Sequence, residues 1–195
     1  MTSASEVRPP ESFSTRRLSC RIPLLADVAV VFRSYTQDPE VTRYLGWLPH
    51  ISADETRAFI ERCLRGWETD GPFAYCICQI GWTDPIGMIQ MKVDGHQVNL
   101  GYVLARQHWG KGLIPEALTY LLNWVLSEPT IFRVWAHCDI ENLASARVLE
   151  KSGMTKEGIL RRFSIRPSIS EEPRDSIVYA RVRAQNITRS RAHLQ

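Results

Sequence analysis

The residues best suited to chemistry in this chain lie in one stretch, LGYVLARQHWGKGLIPEAL, at residues 100 to 118. An apolar, strand-like segment leads into a basic loop that contains Gly110 and Gly112, and a helix pattern follows. Because glycine has no Cβ, the loop amides can approach a diphosphate closely and adopt positive φ. The helix points its unpaired N–H groups at the same place. The pattern predicts a phosphate-binding turn between a strand and a helix.

Two other phosphate-binding motifs do not fit this loop. A dinucleotide fingerprint requires G-x-G-x-x-G early in a βαβ unit, and a P-loop requires G-x-x-x-x-G-K-[ST]. Here Lys111 is followed by Gly112, which offers no hydroxyl to magnesium. The remaining alternative is a glycine-rich helix entry that binds nothing.

A second segment, NLASARVLEKSGM at residues 142 to 154, lies about thirty residues downstream and predicts a helix that ends at Gly153. Positions 142, 145, 146 and 149 share one helix face, so Asn142 and Ser145 can address one ligand. The alternative makes Asn142 a helix N-cap and Ser145 a surface residue.

Together the two segments resemble the acetyl-coenzyme A signatures of the GNAT superfamily of N-acetyltransferases. Gln107, Gly110 and Gly112 follow its Q/R-x-x-G-x-G/A pattern. STRRLSCRIP near the start and VTRYLGWLPHISADETRAFI at residues 41 to 60 are similar to the RimJ/RimL branch. The resemblance, over roughly residues 15 to 183, implies a transferase that moves acetyl from acetyl-coenzyme A to a primary amine by direct attack on the thioester. The amine is expected on a protein N-terminus or a small molecule.

The resemblance also implies roles for particular residues. In the family, the residue at Asn142 hydrogen-bonds the pantetheine arm and a hydroxyl at Ser145 lies near the sulfur, which makes Ser145 a catalytic candidate. A backbone N–H near Val103 and Leu104 is expected to hold the oxyanion. The expected cofactor-binding residues are Val103, Leu104, Gln107, Gly110, Lys111, Gly112, Leu113, Ile114, Asn142 and Lys151.

The general base is less well defined. RimL relatives carry a glutamate after the second signature, where this chain has Ser164. In another branch a glutamate stands five residues before the asparagine, where this chain has His137. Histidine, with an ordinary pKa of about 6.5, suits a general base, although a strand histidine bonded to a neighbour is the alternative. Weaker candidates are Glu157, Asp139, Tyr102 and His96.

The missing carboxylate bears on the acceptor and on the function. Neutralising a lysine-like amine at pH 7 costs about 4.6 kcal/mol, against about 1.4 kcal/mol for an α-amine. A weak base therefore favours an α-amine, unless a desolvating pocket lowers the pKa of a lysine. An alternative is a non-catalytic coenzyme A-binding regulatory or interaction module. The expected acceptor-side residues, which could instead cap the core, are Tyr44, Trp47, His50 and Trp82.

Composition limits the class of protein. A chain of 195 residues with 44% apolar residues suits one domain with a substantial core. The net charge of +3, with basic residues spread along the chain, does not indicate nucleic acid as a partner. No run reaches membrane-spanning length and the N-terminus has no apolar signal core, so we expect a cytoplasmic protein without a membrane partner, as a monomer or homodimer. The five cysteines are expected to be reduced core residues, with no metal site.

Hydrophobic periodicity predicts the fold: an α/β domain over residues 14 to 183, between a flexible tail at 1 to 13 and a basic tail at 184 to 195. The GNAT-type sheet is expected to be mixed and mostly antiparallel, with a splayed central parallel pair and helices on both faces. Predicted helices are 25–35, one opened by a capping box at Ser52, 113–126 and one from 142. Predicted strands are 18–21, 73–80, 86–93, 98–104, 133–138, 159–165 and 175–182, with a surface loop at 166–173.

Overall fold

A single eight-stranded sheet organises the chain. The computed structural model describes residues 7 to 184. The strands are β1 Ser12–Ser14, β2 Leu18–Arg21, β3 Phe73–Gln79, β4 Gly87–Asp94, β5 Gln97–Leu104, β6 Arg133–Asp139, β7 Thr155–Arg166 and β8 Ser170–Val182. They lie in the order β1-β2-β3-β4-β5-β6-β8-β7. The predicted mixed, mostly antiparallel sheet is confirmed.

Five α-helices flank this sheet within the described residues. They are α1 Val28–Val31, α2 Pro39–Thr42, α3 Ala53–Glu68, α4 Leu113–Ser127 and α5 Leu143–Lys151. A 3-10 turn at Leu25–Asp27 precedes α1 and a π-helical turn at Phe32–Thr36 follows it. Ser52 caps α3 by accepting from the Glu55 N–H at 3.4 Å, while the Glu55 carboxylate accepts from the Ile51 N–H at 2.9 Å. The predicted capping interaction forms, with its return bond one residue earlier than expected.

Alternation along β5 distributes the helices over both faces. Val98 and Leu100 are buried in the larger core, which includes the apolar face of α4. Val103, on the opposite face, packs against the smaller core under α1 and α3, where Ile60 is fully buried. Successive side chains of a strand point to opposite faces, so a strand covered by helices on both sides is apolar at both sets of positions.

The β5–β6 pair is the feature that creates the site. It is parallel, and only three residue pairs join it, from Gln97 with Arg133 to Asn99 with Trp135. Beyond that point β6 continues to pair with β8 as far as Asp139, whereas β5 continues along β4. The two strands therefore diverge after Asn99 and leave a gap in the sheet.

Two predictions about irregular segments are corrected. Residue 13 was expected in a flexible tail, but Phe13 lies in β1 and is 5% exposed. The Tyr75 hydroxyl also donates to the Pro10 carbonyl at 2.6 Å. Residues 1 to 6, and residues 185 to 195 of the predicted basic tail, lie outside the described part of the chain.

The predicted loop at 166 to 173 is instead a tight hairpin. Arg166 ends β7 and Ser170 begins β8, and these two residues pair with each other. This part of β8 pairs only with the edge strand β7, so its side chains are largely polar and show no apolar alternation. The signal for a strand was absent because neither face packs on the core.

The five cysteines are all free and buried, as predicted. Among residues 7 to 184 there is no group of three or more His, Cys, Asp or Glu side chains placed to hold a metal ion. Within the same residues, no helix has the length and apolar character needed to cross a membrane.

Candidate active site

A cavity of about 620 Å³ opens where β5 and β6 diverge. One wall, here called the loop side, comprises α5 and the segment from His108 to Pro115 apart from Lys111. The other wall, here called the α2 side, comprises residues 40 to 46 with His137 and Arg166. Val41 packs in the smaller core with Val103, and His137, two residues after the Asn99 partner Trp135, lies on the same face of the sheet as Val103. The ends of β5 and β6 form the floor between the two walls.

The glycines of the loop side are required by backbone conformation. Gly110 has φ +73° and Gly112 has φ +70°. A left-handed conformation costs an L-residue with a side chain roughly 1–2 kcal/mol. A Cβ at Gly110 would meet no atom within 4 Å, so crowding within the protein is not the reason. Gly112 is the N-cap residue of α4, and its conformation turns the chain directly into the helix.

Arg17, from the β1–β2 connection, holds the loop from outside. Its guanidinium donates to the Lys111 carbonyl at 2.9 Å and to the Gly112 carbonyl at 3.1 Å. In a trans peptide the C=O and N–H point in opposite directions. The N–H groups of Gly112 and Leu113 are therefore directed away from Arg17, as a phosphate cradle at the mouth of α4 requires.

Glu116, in the first turn of α4, completes this support. Its carboxylate accepts from Arg17 Nε at 2.6 Å, from the Arg17 backbone N–H at 2.8 Å and from the Thr15 hydroxyl at 2.6 Å. Burial alone raises the pKa of Glu116, but these hydrogen bonds outweigh burial and lower it. Arg17 thus balances a negative charge that lies in the first turn of α4, close to the expected phosphate site.

Trp109 fixes the loop to the sheet by donating from its indole Nε1 to the Leu104 carbonyl at 2.7 Å. The sequence did not single out this residue, although it lies between the two predicted glycine-motif positions Gln107 and Gly110. Gln107 and Lys111 do not line the cavity, whereas the other predicted cofactor-binding residues do. Lys111 contributes its backbone carbonyl, which accepts a hydrogen bond from Arg17.

Backbone direction distinguishes the two predicted oxyanion donors. The Ala105 N–H donates to the Ile86 carbonyl at 2.8 Å, and the register pairs Val103 with Met88. Hydrogen-bonded pairs alternate along an antiparallel ladder, so the Val103 N–H also faces β4. The N–H of Leu104 faces the opposite side, where β6 has diverged. The geometry favours Leu104 as the donor.

Asn142 and Ser145 come together at the start of α5, at the edge of the gap. Asn142 caps the helix by accepting the Ser145 N–H at 3.0 Å, which leaves its Nδ2 group for another acceptor. The Ser145 Oγ lies 2.6 Å from the Tyr102 hydroxyl. Burial raises the pKa of Tyr102 above its ordinary value, so its hydroxyl is protonated at neutral pH. The lining of the cavity therefore contains two hydroxyls that are hydrogen-bonded to each other.

His137 does not have the environment of a strong base. Its Nδ1 lies 3.3 Å from Arg166 Nη2. Since a guanidinium only donates, Nδ1 accepts and the ring proton lies on Nε2. Burial, together with the Arg166 charge, lowers the pKa of His137 to about 4. Both the charge and the occupied lone pair argue against the predicted role as general base.

The other candidate bases are engaged elsewhere or remote. Asp139 is bonded by Arg174 at 2.7 and 3.1 Å, and Glu157 is paired with Arg133. His96 lies in the β4–β5 turn, at the opposite end of β5 from the gap. Among described residues that line the cavity, Glu40 is the one carboxylate.

The predicted acceptor-side aromatics do not converge on the cavity. Tyr44 lines it, but Trp47, His50 and Trp82 do not. The ring centroids of Trp47 and His50 lie 4.9 Å apart, and Nδ1 of His50 lies 2.7 Å from the Thr56 hydroxyl. Both residues therefore support the start of α3. Trp82 is 72% exposed in the β3–β4 turn. Titratable cavity-lining residues that the sequence did not indicate include Glu40, Arg43, His108 and Arg166.

Comparison with known proteins identifies the family. A model of the acetyltransferase (GNAT) domain matches residues 17–155, so the chain belongs to this family. It is 29% identical over 157 residues to the uncharacterized N-acetyltransferase p20 of Bacillus licheniformis, covering 78% of this chain and 87% of that protein. A GNAT-family acetyltransferase structure from Bacillus anthracis aligns with a TM-score of 0.75 at 27% identity, covering 88% of this chain and 98% of the other.

A more distant structure shares the fold alone. RimL, a ribosomal L7/L12 α-N-protein acetyltransferase solved in complex with coenzyme A, aligns with a TM-score of 0.75 at 19% identity, over 87% of this chain and 96% of the other. The family and the cavity together define the chain as an N-acetyltransferase that uses acetyl-coenzyme A. The positive-φ glycines, the α4 mouth and the Asn142 amide fit that cosubstrate.

Proposed function

We propose that the protein acetylates a primary amine of low pKa, such as a peptide α-amine, by direct attack on the thioester within the cavity. The observation that carries the proposal is the Tyr102–Ser145 hydroxyl pair, 2.6 Å apart at the point where the sheet opens. Acetyl-coenzyme A supplies the acetyl group. The loop side would hold its diphosphate through the amides of Gly112 and Leu113, and Lys151 would add a cation at the rim.

In this mechanism the acceptor nitrogen forms a bond to the acetyl carbon, and the carbon–sulfur bond breaks. The Leu104 N–H stabilises the charge on the carbonyl oxygen as the nitrogen attacks. Tyr102 donates to Ser145 Oγ, which leaves the Ser145 proton free to pass to the departing sulfur. The acceptor nitrogen loses its proton to water, and water returns one proton to the hydroxyl pair, so the balance closes.

The preference for a weakly basic amine follows from what the cavity contains. The half-buried His137 ring is a poor proton acceptor, since burial and the Arg166 charge lower its pKa to about 4. Glu40, an exposed residue, is the carboxylate that remains. A lysine-like amine would need about 4.6 kcal/mol for neutralisation at pH 7, and an α-amine about 1.4 kcal/mol. The fold shared with RimL, an α-N-protein acetyltransferase by its printed name, supports an α-amine acceptor.

A panel of amines tests this function. Acetyl transfer to peptides with free α-amines is compared with transfer to the same peptides blocked at the N-terminus but carrying a lysine. We expect acetylation of the α-amine series. Ser145→Ala should lower kcat about 100-fold and Tyr102→Phe about 10-fold, with little change in acetyl-coenzyme A affinity, because a positioned proton donor contributes about 10²–10⁴-fold.

Tyr120→Phe provides the matched control. Tyr120 lies on α4 and stacks on Phe13 at 4.4 Å, away from the cavity, so its hydroxyl is not needed for transfer. Acetylation of lysine side chains alone, or full activity of Ser145→Ala, would contradict the proposal.

A further inference from the structure

Arg166 is the one buried cation on the α2 side. It is 8% exposed and lines the cavity, at the end of β7 where the hairpin begins. Among described residues its Nε has no hydrogen-bond partner, and Nη2 contacts only the neutral Nδ1 of His137. A guanidinium carries five donors in a rigid fork. Much of this fork is therefore without an acceptor.

No carboxylate of the described chain bonds this charge. The nearest acidic group identified by its electrostatic influence is Asp139. Both oxygens of that carboxylate are held by Arg174, and one also accepts the Glu141 N–H at 3.0 Å. Asp139 therefore attracts Arg166 only through space. Buried arginines are normally paired with an anion, so a missing partner indicates one that arrives with a ligand.

The geometry points to a carboxylate-bearing acceptor: we infer that Arg166 binds an anionic group on the amine substrate. This inference rests on the proposed function and specifies in addition that the acceptor carries a negative charge. His137 holds the guanidinium through Nη2, and the N–H groups of Arg166 that have no acceptor in the described chain are the donors for the anion. A bidentate carboxylate matches the guanidinium fork.

The phosphates of coenzyme A are a poorer match for Arg166. They have their own donors at the α4 mouth, and the exposed cations Arg147 and Lys151 of α5 also line the cavity. His137 and Arg166 belong instead to the wall formed with Glu40 to Gly46. Two sources of a carboxylate remain, the acidic first residue of a peptide and the α-carboxylate of a free amino acid.

Matched substrate pairs test the inference. A tripeptide amide that begins with aspartate is compared with its asparagine twin, and free alanine with alanine amide, each corrected for its fraction of neutral amine. We expect kcat/KM to be at least 10-fold higher for the carboxylate member of one pair, and the preferred pair identifies the source. Arg166→Gln should abolish the difference without changing the KM for acetyl-coenzyme A, and Arg166→Lys should keep part of it.

Arg161→Gln is the control. Arg161 lies on the same strand, its side chain is 85% exposed and it is paired with Asp175 at 2.9 Å, so the preference should persist. Equal kcat/KM within both pairs, or a preference that survives Arg166→Gln, would overturn the inference. Transfer to neither member of any pair would count against the proposed function instead.

Two measurements separate binding from turnover and from folding. Titration of the coenzyme A-saturated protein with the N-acetylated aspartate and asparagine tripeptides should show tighter binding of the aspartate product, lost in Arg166→Gln. Binding of neither product would overturn the inference.

The thermal stability of Arg166→Met is the second measurement. This variant should melt no lower than the wild type, because it removes an unbalanced buried charge. A lower midpoint with the carboxylate preference intact would make Arg166 a structural residue and would also overturn it.

Discussion

The two walls of the cavity are built on opposite principles. Behind the loop side, Arg17 and Glu116 bond each other, and Arg17 also donates to the loop carbonyls. On the α2 side the buried Arg166 lies beside the half-buried His137 with no anion bonded to either. The charges that support the loop are therefore matched within the protein, whereas the Arg166 charge is not.

This difference shows how each wall recognises its ligand. The loop side presents backbone N–H groups, which suit a cosubstrate common to the whole family. The α2 side presents side chains from α2, β6 and the β7–β8 hairpin, which can vary without disturbing the sheet. Specificity for the acceptor is expected where the protein leaves polar groups unmatched, because a ligand that fails to match them loses binding energy.

The largest expected effect is the contribution of His137, on the α2 side, to the pH dependence of folding stability. An unfolded histidine has a pKa of about 6.5, while that of folded His137 is about 4. Between these values the unfolded chain binds a proton that the folded chain does not. The contribution of His137 to the free energy of unfolding is thus fully present above about pH 6.5 and is lost as pH falls towards 4. His137→Asn should reduce the stability difference between pH 7 and pH 4.5 by on the order of 2 kcal/mol.

Urea unfolding of both proteins at the two pH values measures this effect. Burial also lowers the pKa values of His50 and His108, but both residues are present in both proteins and cancel. His96→Asn is the control, because it removes a histidine from an exposed turn at the other end of β5 from the gap. An identical pH dependence in His137→Asn would show that the α2 side does not bury an uncharged imidazole beside Arg166.

The same contrast explains what could be predicted from the sequence. Gly110, Gly112 and Asn142 were identifiable because backbone conformation and helix capping demand particular residue types at fixed spacing. The strand and helix on either side of the two glycines were also predictable, since β5 and α4 have strong apolar periodicity.

The α2 side was not predictable in this way. Arg166 contacts His137 from 29 positions away, and no local pattern encodes that meeting. Arg166, the last residue of β7, was predicted in the surface loop because the hairpin lacks apolar alternation. The aromatic residues Trp47 and Trp82 were plausible by type, but their placement depends on how α3 and the β3–β4 turn pack.

A smaller effect is expected from Gly112→Ala on the loop side. The positive φ of +70° should cost a side chain about 1–2 kcal/mol. We expect lower thermal stability and weaker coenzyme A binding, because relief of the strain moves the N–H groups at the α4 mouth. Calorimetric titration with coenzyme A and urea unfolding measure the two effects separately.

Gly81→Ala distinguishes general strain from loss of the cradle. Gly81 has φ +83° in the turn after β3, and a Cβ there would meet no atom within 4 Å. It should lose similar stability while keeping the wild-type affinity for coenzyme A. If both variants bind coenzyme A equally well, the conformation of Gly112 is not what positions the phosphate donors.

The smallest expected effect concerns Arg17, whose side chain is 37% exposed. Arg17→Met should cost about 0.5–1 kcal/mol of stability, since a partly exposed ion pair contributes little. Coenzyme A binding should weaken about 3- to 5-fold, because the charge of Glu116, in the first turn of α4, is then unbalanced near the phosphate site. Adding Glu116→Gln should recover part of the affinity, which a double-mutant cycle measures.

Arg133→Met is the control. It breaks the ion pair with Glu157, outside the walls of the cavity, and should leave the affinity for coenzyme A unchanged. Equal losses of affinity in Arg17→Met and Arg133→Met would mean that the loop side is not matched in advance, and the contrast between the two walls would disappear.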